Sequence, residues 1–107
     1  MTLSTHVLDS TSGRPAVGVG VFLEQSDAAG WRRVHLGATG EDGRLQLGET
    51  PPGVYRLTFE VGTWFKHRGV ETFYPEVGVT FEVTSADEHY HVPLLLSPFG
   101  YATYRGS

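Results

Sequence analysis

Val54-Tyr55-Arg56-Leu57-Thr58-Phe59-Glu60-Val61, VYRLTFEV, decides the fold. Tyr55, Leu57, Phe59 and Val61 alternate with Val54, Arg56, Thr58 and Glu60. A period of two puts the apolar set on one face of a β-strand and the other set towards water. The break before it, Thr50-Pro51-Pro52-Gly53, carries turn residues. After it, Thr63 to Gly69 is the one helical candidate, with Thr63 as N-cap and Gly69 as stop. Such a helix has about two turns and is stable only when packed.

Working outward, the same pattern recurs. Val77 to Val83 sets Val77, Val79, Phe81 and Val83 against Gly78, Thr80 and Glu82. Upstream, Leu45 and Leu47 mark a short strand, preceded by Glu41-Asp42-Gly43-Arg44, whose Asp-Gly is a hairpin signal. Trp31 to Leu36 and Val17 to Glu24 are strands joined by a turn over Gln25 to Gly30, with Val17, Val19, Val21 and Leu23 inward. Asp9 to Pro15 is loop, and Leu3 to Leu8 is the first strand, with His6 opposite Thr5 and Val7. At the other end, Tyr90, Val92, Leu94 and Leu96 share one face, and His89, His91, Pro93, Leu95 and Ser97 the other. Ser97-Pro98-Phe99-Gly100 then turns the chain, and Tyr101 to Arg105 returns antiparallel. About eight short strands with one helical turn predict an all-β, antiparallel sandwich.

The chain of 107 residues, 39% apolar and 19% charged, is read as one globular domain spanning 1–107. A net charge of −4 with no basic run disfavours nucleic-acid partners. Without cysteine there are no disulfides or thiolate metal sites. No stretch approaches a membrane span, and the first residues carry no basic and apolar leader, so a cytoplasmic location is the default expectation.

Chemistry concentrates in the histidines and the last residues. Taken singly, each histidine reads as a partly buried, hydrogen-bonded imidazole, and His35 and His67 are left as surface residues. His89 and His91 share a face, and with His6 they form a possible strand-borne metal site, though no carboxylate sits beside them. Arg44 is either a solvent-facing turn residue or a fork held ready for a planar anionic oxygen. Tyr104-Arg105-Gly106-Ser107 is either an ordered edge strand or part of a site built at the chain end. Phe73-Tyr74-Pro75-Glu76 is read as a structural turn. Nucleophile elbows, phosphate-cradling loops and paired carboxylates within a strand are absent from the sequence.

Five segments in order carry a resemblance: LSTHVLD (3–9), GRPA (13–16), DGR (42–44), FYPEV (73–77) and HYHVPLLLSP (89–98), closed by YRGS (104–107). The set is similar to the 5-hydroxyisourate hydrolase family, the transthyretin-related proteins. The terminal tetrapeptide separates those hydrolases from transthyretin itself. The resemblance implies an eight-stranded antiparallel transthyretin-like β-sandwich with a short helix after the fifth strand. It implies a homotetramer, a dimer of dimers with sites in the channel between them, and no cofactor. It implies hydrolysis of 5-hydroxyisourate to 2-oxo-4-hydroxy-4-carboxy-5-ureidoimidazoline in urate catabolism.

The implied catalytic residues are His6, Arg44, His91 and Ser107, with His6, Arg44, Tyr104, Arg105 and Gly106 binding substrate. His6 and His91 would divide water activation and proton return. Arg44 would clamp the anionic edge, Tyr104 and Ser107 would offer hydroxyls, and Arg105 would hold the terminal carboxylate. A transthyretin-like small-molecule carrier and a three-histidine metal site stand as alternatives.

Overall fold

The computed structural model describes residues 2–107. The strands are β1 (Thr2–Asp9), β2 (Arg14–Pro15), β3 (Gly20–Asp27), β4 (Gly30–Ala38), β5 (Arg44–Glu49), β6 (Gly53–Phe59), β7 (Val77–Val83), β8 (Tyr90–Ser97) and β9 (Gly100–Thr103). One helix, α1 (Val61–His67), follows β6. They form two sheets, one ordered β2-β1-β8-β9 with β5 also pairing β1, the other β4-β3-β6-β7.

The period-two pattern explains the layering. Leu3, Val7, Leu94 and Leu96 of the first sheet are fully buried, as are Val21, Leu57 and Phe59 of the second. Each such side chain contributes about 1.5–3 kcal/mol by leaving water. Ser4 and His6, beside Leu3 and Val7, and His91, between buried Tyr90 and Val92, therefore lie on the outer face of the first sheet.

Several expectations are corrected. The sandwich is not wholly antiparallel, because β1 and β8 run parallel, from Leu3 opposite Tyr90 to Asp9 opposite Leu96. The Asp42-Gly43 turn closes no hairpin, since β4 and β5 lie in different sheets. Gly43 has φ +76° and its amide bonds to the Gly40 carbonyl, while its carbonyl accepts the Val7 amide at 2.8 Å. The turn is thus docked on β1, and a Cβ at Gly43 would lie 2.5 Å from the Val7 oxygen.

Val17 is not inward but 47% exposed. Gly18 takes φ +81°, which delays β3 to Gly20, and the Val17 carbonyl accepts the Trp64 indole N–H at 2.7 Å. Thr63 is not the N-cap. β6 ends at Phe59 and the helix starts at Val61, behind Glu60, because Gly62 is pressed on Pro75 and bonds to its carbonyl. Buried Val61, Trp64 and Phe65 hold this seven-residue helix to the core.

The segment expected as loop at Asp9–Pro15 supplies the two-residue β2, making nine strands where eight were expected. The final strand is Gly100–Thr103 rather than Tyr101–Arg105, and Gly106 alone re-joins the sheet opposite His91. Among the described residues no helix is long and apolar enough to cross a membrane.

Candidate active site

Three strands and the chain end converge on one cleft. β1 presents Ser4 and His6 on its outer face. Antiparallel pairing sets Arg44 of β5 opposite His6, and parallel pairing sets His91 of β8 opposite Ser4. Residues directly opposite stand with Cβ atoms about 4.5–5.5 Å apart, so these side chains are neighbours by register alone. The tail closes the remaining side. The Gly106 amide donates to the His91 carbonyl at 2.8 Å. A Cβ at Gly106 would lie 2.5 Å from His91 Cδ2, so only glycine lets the tail lie this close to the imidazole. The result is an open cleft of about 410 Å³ lined by Ser4, His6, Arg44, Gln46, His89, His91, Tyr104, Gly106 and Ser107.

A hydrogen-bonded chain runs along its floor. His91 Nδ1 is 2.8 Å from Ser4 Oγ, which is 3.1 Å from His89 Nε2. His89 Nδ1 is in turn 2.8 Å from Thr2 Oγ1. The two imidazoles stack with centroids 6.5 Å apart and 17° between their planes. Burial lowers the proton affinity of His91 below the ordinary value of 6.5, and the positive Arg44 and neighbouring His6 press it down further; the Ser4 contact partly offsets this. His91 is therefore neutral at pH 7, in the form that accepts a proton.

Most residues expected at the site meet there: His6, Arg44, His91, Tyr104, Gly106 and Ser107 all line the cleft. Arg105 does not. It turns to the other side of β8, with its guanidinium 4.6 Å above the Tyr90 ring and 3.6 Å from Glu88. The alternation of the extended tail forces this, since its neighbours Tyr104 and Gly106 face the cleft. His67 is exposed at the helix end, and His35 is half-buried on β4, in the sheet remote from the cleft. Among the described residues no group of three histidine or acidic side chains is arranged to hold a metal ion.

Sequence reasoning overlooked Ser4, Gln46 and Thr2 and gave His89 a role only in the alternative metal site. The signal was available: Ser4 and Thr2 precede His6 at even spacing, and Gln46 follows Arg44 at the same interval, so each shares a face with a chosen residue.

The family model described as Transthyretin: HIUase/Transthyretin family matches residues 3–106. A 5-hydroxyisourate hydrolase of Salmonella dublin is 47% identical over 109 residues, covering 98% of this chain and 80% of that protein. The structure of Klebsiella pneumoniae 5-hydroxyisourate hydrolase superposes with a TM-score of 0.89 at 36% identity, over all of both chains. Transthyretin from Sparus aurata superposes with a TM-score of 0.92 at 32% identity, covering 97% of this chain and 95% of that one.

Proposed function

The chain belongs to the HIUase/transthyretin family, and on that premise we infer that it is a 5-hydroxyisourate hydrolase. It opens the substrate ring to 2-oxo-4-hydroxy-4-carboxy-5-ureidoimidazoline, a step of urate breakdown. The observation that carries the reading is the polar cleft itself, where His6, His91 and Arg44 stand together beside the Tyr104–Ser107 ending. Family membership alone does not separate catalyst from carrier, because the fold hosts both. A carrier of aromatic molecules calls for an apolar channel, and this cleft is crowded with titratable groups.

The chemistry follows from the residues. Hydrolytic ring opening adds water to a ring carbonyl and then breaks the bond from that carbon to the ring nitrogen. Neutral His91 takes a proton from the attacking water. Arg44 faces the oxygen that gains negative charge and offers it a planar pair of donors. His6 returns a proton to the departing nitrogen. Tyr104 and Ser107 supply hydroxyls that orient substrate and water. Each of these roles uses a protein side chain, so the proposed reaction runs without a metal or organic cofactor.

The reading extends to a homotetramer, a dimer of dimers with substrate as the small-molecule partner. Its support is that β7 and β9 end their sheets with open edges and that Phe73, Phe99 and Tyr101 are exposed beside them. Light scattering on the purified protein tests it.

The activity is tested by generating 5-hydroxyisourate with urate oxidase and following loss of its ultraviolet band. The protein accelerates that loss far above the spontaneous rate; decay at the background rate refutes the assignment. His6→Ala and His91→Ala each lower turnover by about 10²–10⁴-fold while circular dichroism stays unchanged.

A further inference from the structure

We propose that Ser4 and His89 are positioning residues that act through His91, drawing off along a hydrogen-bonded chain the positive charge that His91 gains when it takes a proton from water. The proposal rests on the hydrolytic reading of the cleft and adds the route by which positive charge leaves its base.

The hydroxyl of Ser4 has one proton and touches two imidazole nitrogens, His91 Nδ1 and His89 Nε2. It donates to one and accepts from the other. When it donates to His89 Nε2, His91 carries its proton on Nδ1 and turns the bare Nε2 to the cleft, ready to accept. His89 then holds its proton on Nδ1 and donates to Thr2 Oγ1. Uptake of a proton at His91 Nε2 makes that ring cationic. The Nδ1 proton passes to Ser4 Oγ, and the Ser4 proton passes to His89 Nε2. His91 ends neutral with Nε2–H facing the cleft, and His89 ends as the imidazolium, both N–H groups bonded. One proton enters the chain and one positive charge leaves His91, with no ring rotation and no covalent bond to carbon.

The surroundings favour that transfer. His91 is half-buried and faces His6 from β1, Arg44 from β5 and Tyr104 and Ser107 from the tail. A cation on His91 is opposed by two of these neighbours, Arg44 and His6. His89 is exposed, so water solvates the charge there. Ring opening also forms a carboxylic acid that ionises at neutral pH, so each turnover leaves one proton to be shed. The exposed His89 ring gives it an exit away from substrate.

The test uses full-length protein with ¹⁵N-labelled imidazoles, alongside turnover. In the wild type, protonation of His91 also moves the His89 nitrogen signals, through Ser4. Ser4→Ala uncouples them and moves the His91 titration. His89→Gln, at an exposed position that tolerates change, keeps a polar contact but accepts no proton. It lowers kcat about tenfold or more with KM within about twofold, and shifts the acid limb of the kcat profile. Wild-type kcat and pH profile in His89→Gln, or His91 resonances unmoved by Ser4→Ala, overturn the proposal. A wild-type protein that fails to open 5-hydroxyisourate instead refutes the hydrolase reading. The imidazole titrations need no substrate and judge the chain on their own.

Discussion

The two sheets turn very different outer faces to solvent. On the β4-β3-β6-β7 face the cations are matched. Arg56 holds Glu24 Oε1 through Nη2 at 2.7 Å and Nε at 3.0 Å, and its guanidinium lies 4.3 Å above the Trp31 ring. Arg33 covers Phe22 at 4.4 Å. On the face bearing the cleft, the Arg44 backbone amide bonds to Asp42, but its guanidinium has no protein partner among the described residues. Three histidines gather near it, and among the described residues no acidic side chain lines the cleft with them. A satisfied charge holds structure in place; one left open keeps its full attraction for an incoming anion.

Exchanging the matched and unmatched arginines breaks the comparison most sharply. Arg44→Ala lowers kcat/KM by about 10²–10³-fold with unaltered thermal melting. Arg56→Gln leaves kcat/KM within about twofold and lowers stability by about 1 kcal/mol, read as a drop in denaturation midpoint. Equal effects on turnover would erase the distinction between the faces.

Gly106→Ala comes next. It pushes the tail off His91 and costs about 10–100-fold in kcat, with little change in melting temperature. The pH response is smaller. Because burial, Arg44 and His6 lower the His91 titration, the acid limb of kcat/KM falls below pH 6.5, and Arg44→Met raises the titration followed by NMR. The least effect is on stability. Below pH 6.5 the unfolded chain binds a proton at residue 91 that the folded chain refuses. Stability therefore declines as pH falls through 6.5 and levels off below the native value. Denaturant titrations at pH 7 and 5.5 show a smaller difference in His91→Gln than in the wild type.

Strand existence was legible because burial on one face enforces a period of two. Leu57 and Phe59 announce the core, and Arg56 and Glu60 announce solvent. Partner choice was not. Nothing within LSTHVLD or HYHVPLLL reveals that the two segments run parallel, since a crossover between sheets leaves no local mark. The ends of elements also escaped. Thr63 is a good cap, yet the Gly62–Pro75 contact starts the helix earlier. For the cleft, His6, Arg44 and His91 emerged from the family resemblance, and register explains why they meet. Arg105 was misassigned because its motif neighbours were followed without their alternation. Ser4 was missed because a serine inside a strand shows its worth only against the two imidazoles it bridges.

The parallel pairing of β1 with β8 joins positions nearly ninety residues apart, Ser4 with His91 among them. During synthesis β1 emerges well before β8 and keeps one flank bare until β8 has left the ribosome. Closing so large a loop is slow, and the waiting flank is open to wrong partners. The groups proposed for catalysis come together only at that closure, so a molecule able to turn over substrate has already completed its hardest folding step.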